Sequence, residues 1–184
     1  MKTQIQNCTL QLVQGDLTNQ KIDAIVNAAN SSLAGGGGVD GAIHRAGGPS
    51  IMEETDARYP DGCETGNAVI SSAGNLPCKF VIHTVGPVWQ GGIRREPELL
   101  KSAYHNSLQL AVDHQCESVA FPAISAGVYG YPMDLAAAHA LMSVAEFLRE
   151  HEAPKLVRFV LFDSGAYGAF SHALENVAKI VQKW

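Results

Sequence analysis

The stretch Gly35-Gly36-Gly37-Gly38-Val39-Asp40-Gly41-Ala42-Ile43-His44 places four consecutive glycines directly before an apolar helical pattern. Glycine has no Cβ, so its backbone reaches left-handed conformations and approaches a ligand closely. The spacing of Val39 and Ile43 predicts that a helix begins where the glycines end. The first turn of a helix offers unpaired N–H groups and the positive end of the dipole, which suit a phosphate or pyrophosphate. Because Asp40 falls in that turn, we predict an anion site with a carboxylate at its edge.

The glycine run matches neither of the common nucleotide-binding fingerprints. No Lys-Ser/Thr pair follows it, as the GxxxxGK[ST] phosphate loop requires, and the glycines do not directly follow a predicted strand, as the dinucleotide fingerprint requires. A nucleoside triphosphate held with Mg²⁺ is therefore disfavoured. On the glycines alone, a flexible turn without a ligand remains an alternative.

Length and composition indicate one globular domain. The chain has 184 residues, of which 46% are hydrophobic and 17% are charged, proportions typical of a protein with a substantial core. It contains no apolar stretch of about 18 residues and no apolar signal-peptide region near its start, so we expect a cytoplasmic protein without membrane contact. The net charge of −5 argues against direct nucleic-acid binding. The four cysteines form no CxxC pair, so we expect reduced, mostly buried thiols and no metal site.

Strand and helix patterns alternate along the chain. Strands are predicted over residues 9–13, 24–26, 68–72, 80–85, 118–121 and 156–162. Helices are predicted over residues 39–59, 96–114, 132–151 and 166–183. This alternation indicates an α/β layered fold with a mixed, largely parallel sheet. Such sheets bind ligands in the loops at the carboxyl ends of their strands.

Polar side chains follow several of the predicted strands and are expected to meet in one crevice. Asp16 follows the first strand, and it is either a helix cap or an acceptor for an exocyclic amine such as that of adenine. Asn27 and Asn30 follow the second strand, and Asp163 follows the last. Of the two asparagines, Asn30 is the better candidate to bond a sugar hydroxyl, whereas Asn27 is the better structural candidate.

The loop Ser125-Ala126-Gly127-Val128-Tyr129-Gly130-Tyr131-Pro132 is a second candidate phosphate cradle before a helix. Its backbone N–H groups suit an anion, and two cradles in one chain suit a pyrophosphate. Tyr129 is a candidate to stack on a ring or sugar face, whereas Tyr131 is expected to pack the loop.

Three further rings have both a structural and a functional interpretation. Phe162 at a strand end either joins the core or stacks on a base. His44 lies four residues after Asp40, on the same helical face, and is either structural or orients that carboxylate. His83 lies in an apolar strand and is expected to be a buried core histidine with its hydrogen bonds satisfied.

These motifs together resemble the macrodomain family, in particular the MacroD-type branch that includes bacterial O-acetyl-ADP-ribose deacetylases. The resembling stretches cover residues 15–18, 26–30, 35–44, 83–87 and 121–132. The resemblance implies that residues 1–184 form a single three-layer α/β/α macrodomain that binds ADP-ribose.

The resemblance also implies roles for matching residues. Asp16 contacts the adenine amine with help from the backbone of Leu17, Asn30 holds the distal ribose, and Asp40 is the catalytic group, with Asn30 assisting. The expected ADP-ribose-binding set is Asp16, Leu17, Asn30, Gly37, Gly38, Val39, Asp40, His44, Ser125, Ala126, Gly127, Val128, Tyr129 and Phe162. No cofactor and no metal are expected.

Two positions depart from the family pattern. Ala126 stands where the family usually has Thr, and little loss of binding is expected if this loop acts through its backbone. Gly47 stands where the family often has Ala, and it is expected to loosen the end of the helix that carries Asp40.

The resemblance implies hydrolysis at the distal ribose. The expected substrates are O-acetyl-ADP-ribose and proteins that carry mono-ADP-ribose on a carboxylate. Asp40 would deprotonate or orient the attacking water while Asn30 positions the sugar hydroxyls. The alternatives are a non-catalytic reader of ADP-ribosylated proteins and a regulator of RNA processing that acts through protein contacts.

Overall fold

The computed structural model describes all residues from 1 to 184. Its centre is a mixed seven-stranded sheet. Its strands are β1 (Lys2–Ile5), β2 (Cys8–Gln14), β3 (Ala24–Ala28), β4 (Ala68–Ser72), β5 (Phe80–Thr84), β6 (Ser118–Phe121) and β7 (Leu156–Leu161). They lie in the order β1-β2-β7-β6-β3-β5-β4. The five inner strands are parallel, whereas β1 and β4 pair antiparallel at the two edges. The predicted mixed, largely parallel sheet is confirmed.

Helices cover both faces of the sheet. They are α1 (Gly38–Gly47), α2 (Ser50–Arg58), α3 (Glu96–Asp113), α4 (Met133–His151) and α5 (Ser164–Val181). Side chains alternate between the faces of each strand. Val26 therefore joins the core that contains α3, α4 and α5, while its neighbour Ile25 joins Ile43 of α1 and Ile51 of α2. The predicted α/β/α layers are confirmed. None of the five helices combines the length and hydropathy that crossing a membrane requires.

The prediction of one continuous helix over residues 39–59 is wrong. The chain breaks between α1 and α2 at Gly48, whose φ of 83° is left-handed and whose N–H donates to the carbonyl of His44 at 3.0 Å. Pro49 follows, and its fixed φ suits the start of a new helix. The break lets α1 lie against β3 while α2 lies against β4.

Several strand assignments also differ from the prediction. The edge strand β1 was not predicted, because its side chains are largely polar and only Ile5 is buried. β7 ends at Leu161, so Phe162 lies beyond the sheet. β3 continues through Asn27, which pairs in register with His83 of β5, so this asparagine lies inside the sheet rather than in the loop after it.

All four cysteines are free thiols, as predicted. Cys8, Cys63 and Cys116 are buried, and Cys78 is half-buried. Burial raises the pKa of Cys78 to about 11, so this thiol is protonated at neutral pH.

Candidate active site

The sheet order places the candidate loops side by side. β2, β7, β6 and β3 are neighbouring parallel strands, so the loops that follow them leave the same edge of the sheet. These four loops carry Asp16, Phe162, the segment 125–131 and the segment 30–40, respectively. The structure therefore brings the sequence-predicted residues to one edge.

Asn30 shapes the glycine loop. Its Nδ2 donates to the carbonyl of Gly35 at 2.7 Å, and its Oδ1 accepts from the N–H of Ala34 at 3.1 Å. The loop then rests on α1 because Gly41 has no side chain. A Cβ at Gly41 would lie only 2.6 Å from the carbonyl oxygen of Gly36.

The first turn of α1 has free donors. Gly37 is the N-cap residue, and no side chain caps the helix. The N–H groups of Gly37, Gly38, Val39 and Asp40 have no acceptor within the protein, whereas that of Gly41 bonds to the carbonyl of Gly37 at 3.1 Å. Four converging donors at a helix start form an anion site.

The loop after β6 is a second set of free donors. Ser125 adopts a left-handed φ of 65°, and the loop closes through the bond from the N–H of Tyr131 to the Ser125 carbonyl at 3.0 Å. The N–H groups without an acceptor in the protein are those of Ser125, Gly127, Val128 and Tyr129. The buried hydroxyl of Ser125 also has no partner. Left-handed turns that present successive N–H groups bind anions.

Neighbouring residues hold this second cradle in place. A Cβ at Gly86 would overlap the Ser125 hydroxyl, so the glycine permits close packing of the loop after β5. The backbone N–H of Trp89 donates to the Tyr129 carbonyl at 2.8 Å. The Trp89 ring contacts that of Tyr131, with 4.6 Å between the ring centroids. The prediction that Tyr131 packs the loop is confirmed, because it is buried.

Asp16 and Phe162 flank the far end of the row of loops. Oδ1 of Asp16 accepts from the N–H and the hydroxyl of Thr18 at 2.8 and 2.7 Å, so Asp16 caps the 3-10 turn Leu17–Asn19. Its Oδ2 and the N–H of Leu17 have no partner in the protein. Phe162 is 84% exposed, so its interpretation as a core residue is wrong.

Asp40 is held at a buried position. It is only 6% exposed, and its Oδ1 accepts from Asn27 Nδ2 at 2.7 Å and lies 3.3 Å from His44 Nε2. Its Oδ2 faces the glycine loop, because a Cβ at Gly36 would lie 3.5 Å from this oxygen and 3.9 Å from Asn30 Nδ2. Asn30 and Asp40 therefore meet beside a glycine that leaves room next to both.

Sequence reasoning missed the contact between Asn27 and Asp40, although one signal pointed to it. Asn27 is two residues after Ile25, so strand alternation directs it to the face that α1 covers. His83 is likewise two residues after Val81, so it points to the same face of the sheet. The prediction that His83 is a buried, satisfied histidine is confirmed, since both ring nitrogens have partners.

Gly47 lies where α1 packs against α2, and that it loosens the end of its helix stays a prediction. A Cβ at this position would overlap Cδ1 of the buried Ile51 and approach Leu76 Cδ1 at 3.3 Å. The glycine therefore permits tight packing where α1 meets α2.

A separate groove contains none of the expected site residues. It measures about 550 Å³ and runs between residues 61–69 and α3. Free N–H groups and a buried carboxylate mark the candidate site.

Comparisons with known proteins agree with this architecture. The Macro domain family matches residues 26–140. The O-acetyl-ADP-ribose deacetylase of Escherichia coli (strain K12) is 54% identical over 165 residues, which cover 89% of this chain and 90% of that protein.

Solved structures also superpose closely. The Oceanobacillus iheyensis macrodomain with ADP has a TM-score of 0.92 and 42% identity, covering 97% of this chain and 96% of that one. The Trypanosoma brucei macrodomain in complex with ADP-ribose has a TM-score of 0.84 and 38% identity, covering 90% and 68%. Sequence and structure agree: the chain belongs to the Macro domain family.

Proposed function

We propose that residues 1–184 act as one macrodomain that binds ADP-ribose and hydrolyses esters at its distal ribose. The proposed substrates are O-acetyl-ADP-ribose and proteins that carry mono-ADP-ribose on a carboxylate. The observation that carries the proposal is the buried Asp40 carboxylate in the uncapped first turn of α1. The similarity to the Escherichia coli deacetylase supports it.

The proposed ligand lies along the row of loops. The adenine amine donates to Oδ2 of Asp16, the Leu17 N–H assists, and the base stacks on Phe162. The diphosphate lies between the free N–H groups of α1 and those of the loop 125–129, with Tyr129 against the sugar. This assignment gives the unpaired donors of α1 and of the loop 125–129 an anionic partner without requiring a cation, which suits a chain of net charge −5.

The distal ribose then lies beside Asn30 and Asp40. Water adds to the acyl carbon, the ester C–O bond breaks, and the departing ribose oxygen takes a proton. Asp40 orients that water or accepts its proton, and His44 holds the carboxylate. General-base help contributes roughly 10²–10⁴-fold, and positioning contributes further. No cofactor or metal is required for these steps.

The test compares wild type with Asp40→Ala. We expect Asp40→Ala to lower kcat for O-acetyl-ADP-ribose by about 10²–10⁴-fold while the ADP-ribose Kd changes only a few-fold. Asp16→Ala is the matched control, because it lies at the adenine end and should raise KM and Kd instead. Wild type that binds ADP-ribose but hydrolyses neither substrate would favour a reader and overturn the proposal.

A further inference from the structure

A buried chain of hydrogen bonds leads from Asp40 into the sheet. Asn27 Nδ2 lies 2.7 Å from Asp40 Oδ1 and 3.1 Å from His83 Nδ1. On the other side of the ring, His83 Nε2 lies 2.9 Å from the Ser71 hydroxyl. Asn27 is 0% exposed and His83 is 1% exposed. These residues lie on β3, β5 and β4, so three neighbouring strands support one carboxylate.

The Asn27 amide nitrogen sets the direction of the hydrogen bonds in this chain. The Asn27 amide nitrogen has only donors, so it donates to Asp40 and to His83 Nδ1, which must be unprotonated. A neutral His83 then carries its proton on Nε2 and donates to the Ser71 hydroxyl, which donates in turn to the Ser72 carbonyl at 2.9 Å. The contacts on both sides of the ring fit this one neutral tautomer.

We propose that Asn27, His83 and Ser71 form a positioning relay for Asp40, holding its Oδ1 so that Oδ2 faces the substrate. The proposal rests on the proposed function, because it concerns the carboxylate to which that function assigns the chemistry. Asn27 and His83 act through Asp40 and are positioning residues.

The arrangement leaves one atom unsatisfied, which argues against a purely stabilising role. Asn27 Oδ1 is buried and has no hydrogen-bond partner. Rotating the amide by 180° would give this oxygen the His83 and Asp40 contacts, but it would then oppose the Asp40 carboxylate. A buried carbonyl without a partner destabilises a fold. Both N–H groups of the Asn27 amide therefore donate within the relay, and the unpaired Oδ1 destabilises the fold.

The charges around His83 keep the relay in one state. Burial, with a smaller contribution from His44, lowers the pKa of His83 to about 4, against the opposing effect of Glu54. Nδ1 is therefore available as an acceptor throughout the neutral range. His44 approaches Asp40 Oδ1 at 3.3 Å, a longer contact than that of Asn27.

Two substitutions of His83 separate positioning from packing. In His83→Asn the side-chain oxygen takes the place of Nδ1 and still accepts from Asn27, whereas in His83→Gln the amide nitrogen takes the place of Nε2 and keeps only the Ser71 contact. We expect His83→Gln and Asn27→Ala to lower kcat for O-acetyl-ADP-ribose at least about tenfold, with an ADP-ribose Kd within about threefold of wild type. His83→Asn should stay within about threefold in kcat.

A structural role would make the two His83 variants fall together, in proportion to their lost stability, and that result would overturn the proposal. ¹⁵N NMR of the wild-type protein gives a second readout that needs no variant. We expect a protonated Nε2 and an unprotonated Nδ1, and the opposite tautomer would refute the relay even if the variants fail to fold. Absent turnover in wild type would refute the proposed function instead, and the NMR result would still decide the relay.

Discussion

Gly41→Ala should damage the site although alanine is the better helix former. Replacing glycine by alanine inside a helix normally stabilises it by about 0.8–1.0 kcal/mol. At Gly41, however, the new Cβ would lie 2.6 Å from the carbonyl oxygen of Gly36, a backbone atom that no side-chain rotation can move away.

The structure sets the size of the effect. Ordinary contact begins at 3.4 Å, so the glycine loop must retreat by about 0.8 Å from α1. Overpacking of this kind costs roughly 1–3 kcal/mol, which exceeds the gain in helix propensity. We therefore expect a net loss of up to about 2 kcal/mol in the free energy of unfolding. A shift near 1 Å at a site also costs on the order of 10²-fold, so ADP-ribose binding or kcat should fall roughly 10–100-fold.

Gly168→Ala is the matched control. Gly168 lies within α5, and a Cβ there meets nothing within 4 Å, so this variant should gain about 0.5–1 kcal/mol and keep full affinity. Denaturant unfolding and calorimetric titration with ADP-ribose measure both quantities. If Gly41→Ala gains as much stability as Gly168→Ala and binds like wild type, the close approach of the loop to α1 is not what shapes the site.

Three further predictions test single residues. Phe162→Ala should weaken ADP-ribose binding by about 1–3 kcal/mol. The free energy of unfolding should change by less than about 0.5 kcal/mol, because the ring is exposed. Unchanged affinity in titration would contradict the stacking role. Asp16→Ala should lower the free energy of unfolding by about 1 kcal/mol, because the helix cap is lost. It should also abolish the preference for ADP-ribose over its hypoxanthine analogue, which lacks the exocyclic amine. A preference that survives in competition binding would refute the contact between Asp16 and adenine. The pKa of His83 is about 4 in the folded chain, whereas the ordinary value is 6.5. Between these two pH values only the unfolded chain binds the proton. The free energy of unfolding should therefore fall as pH decreases, by roughly 1.4 kcal/mol per pH unit. His83→Asn should lack this component in urea melts across pH 4 to 6.5, and a slope equal to that of wild type would count against a buried neutral histidine.

Sequence reasoning placed two of the candidate site residues in the correct structural elements. It placed Asp40 in the first turn of a helix and Ser125 in a loop before another, and both predictions hold because they depend on local backbone properties. It merged α1 and α2, because apolar spacing continues from Ile43 to Ile51 and outweighed the break that the Gly48-Pro49 pair indicates.

The sequence by itself determined six of the seven strands, where the glycines free the backbone, and which carboxylate follows them. Tertiary structure alone decided what surrounds that carboxylate. Asn27 is 13 residues from Asp40 and 56 residues from His83, and their hydrogen bonds exist because β3 and β5 pair with these two residues in register. Local periodicity assigns a side chain to one face of a strand, but the partner it finds there depends on strand order and register, which arise only when the whole sheet assembles.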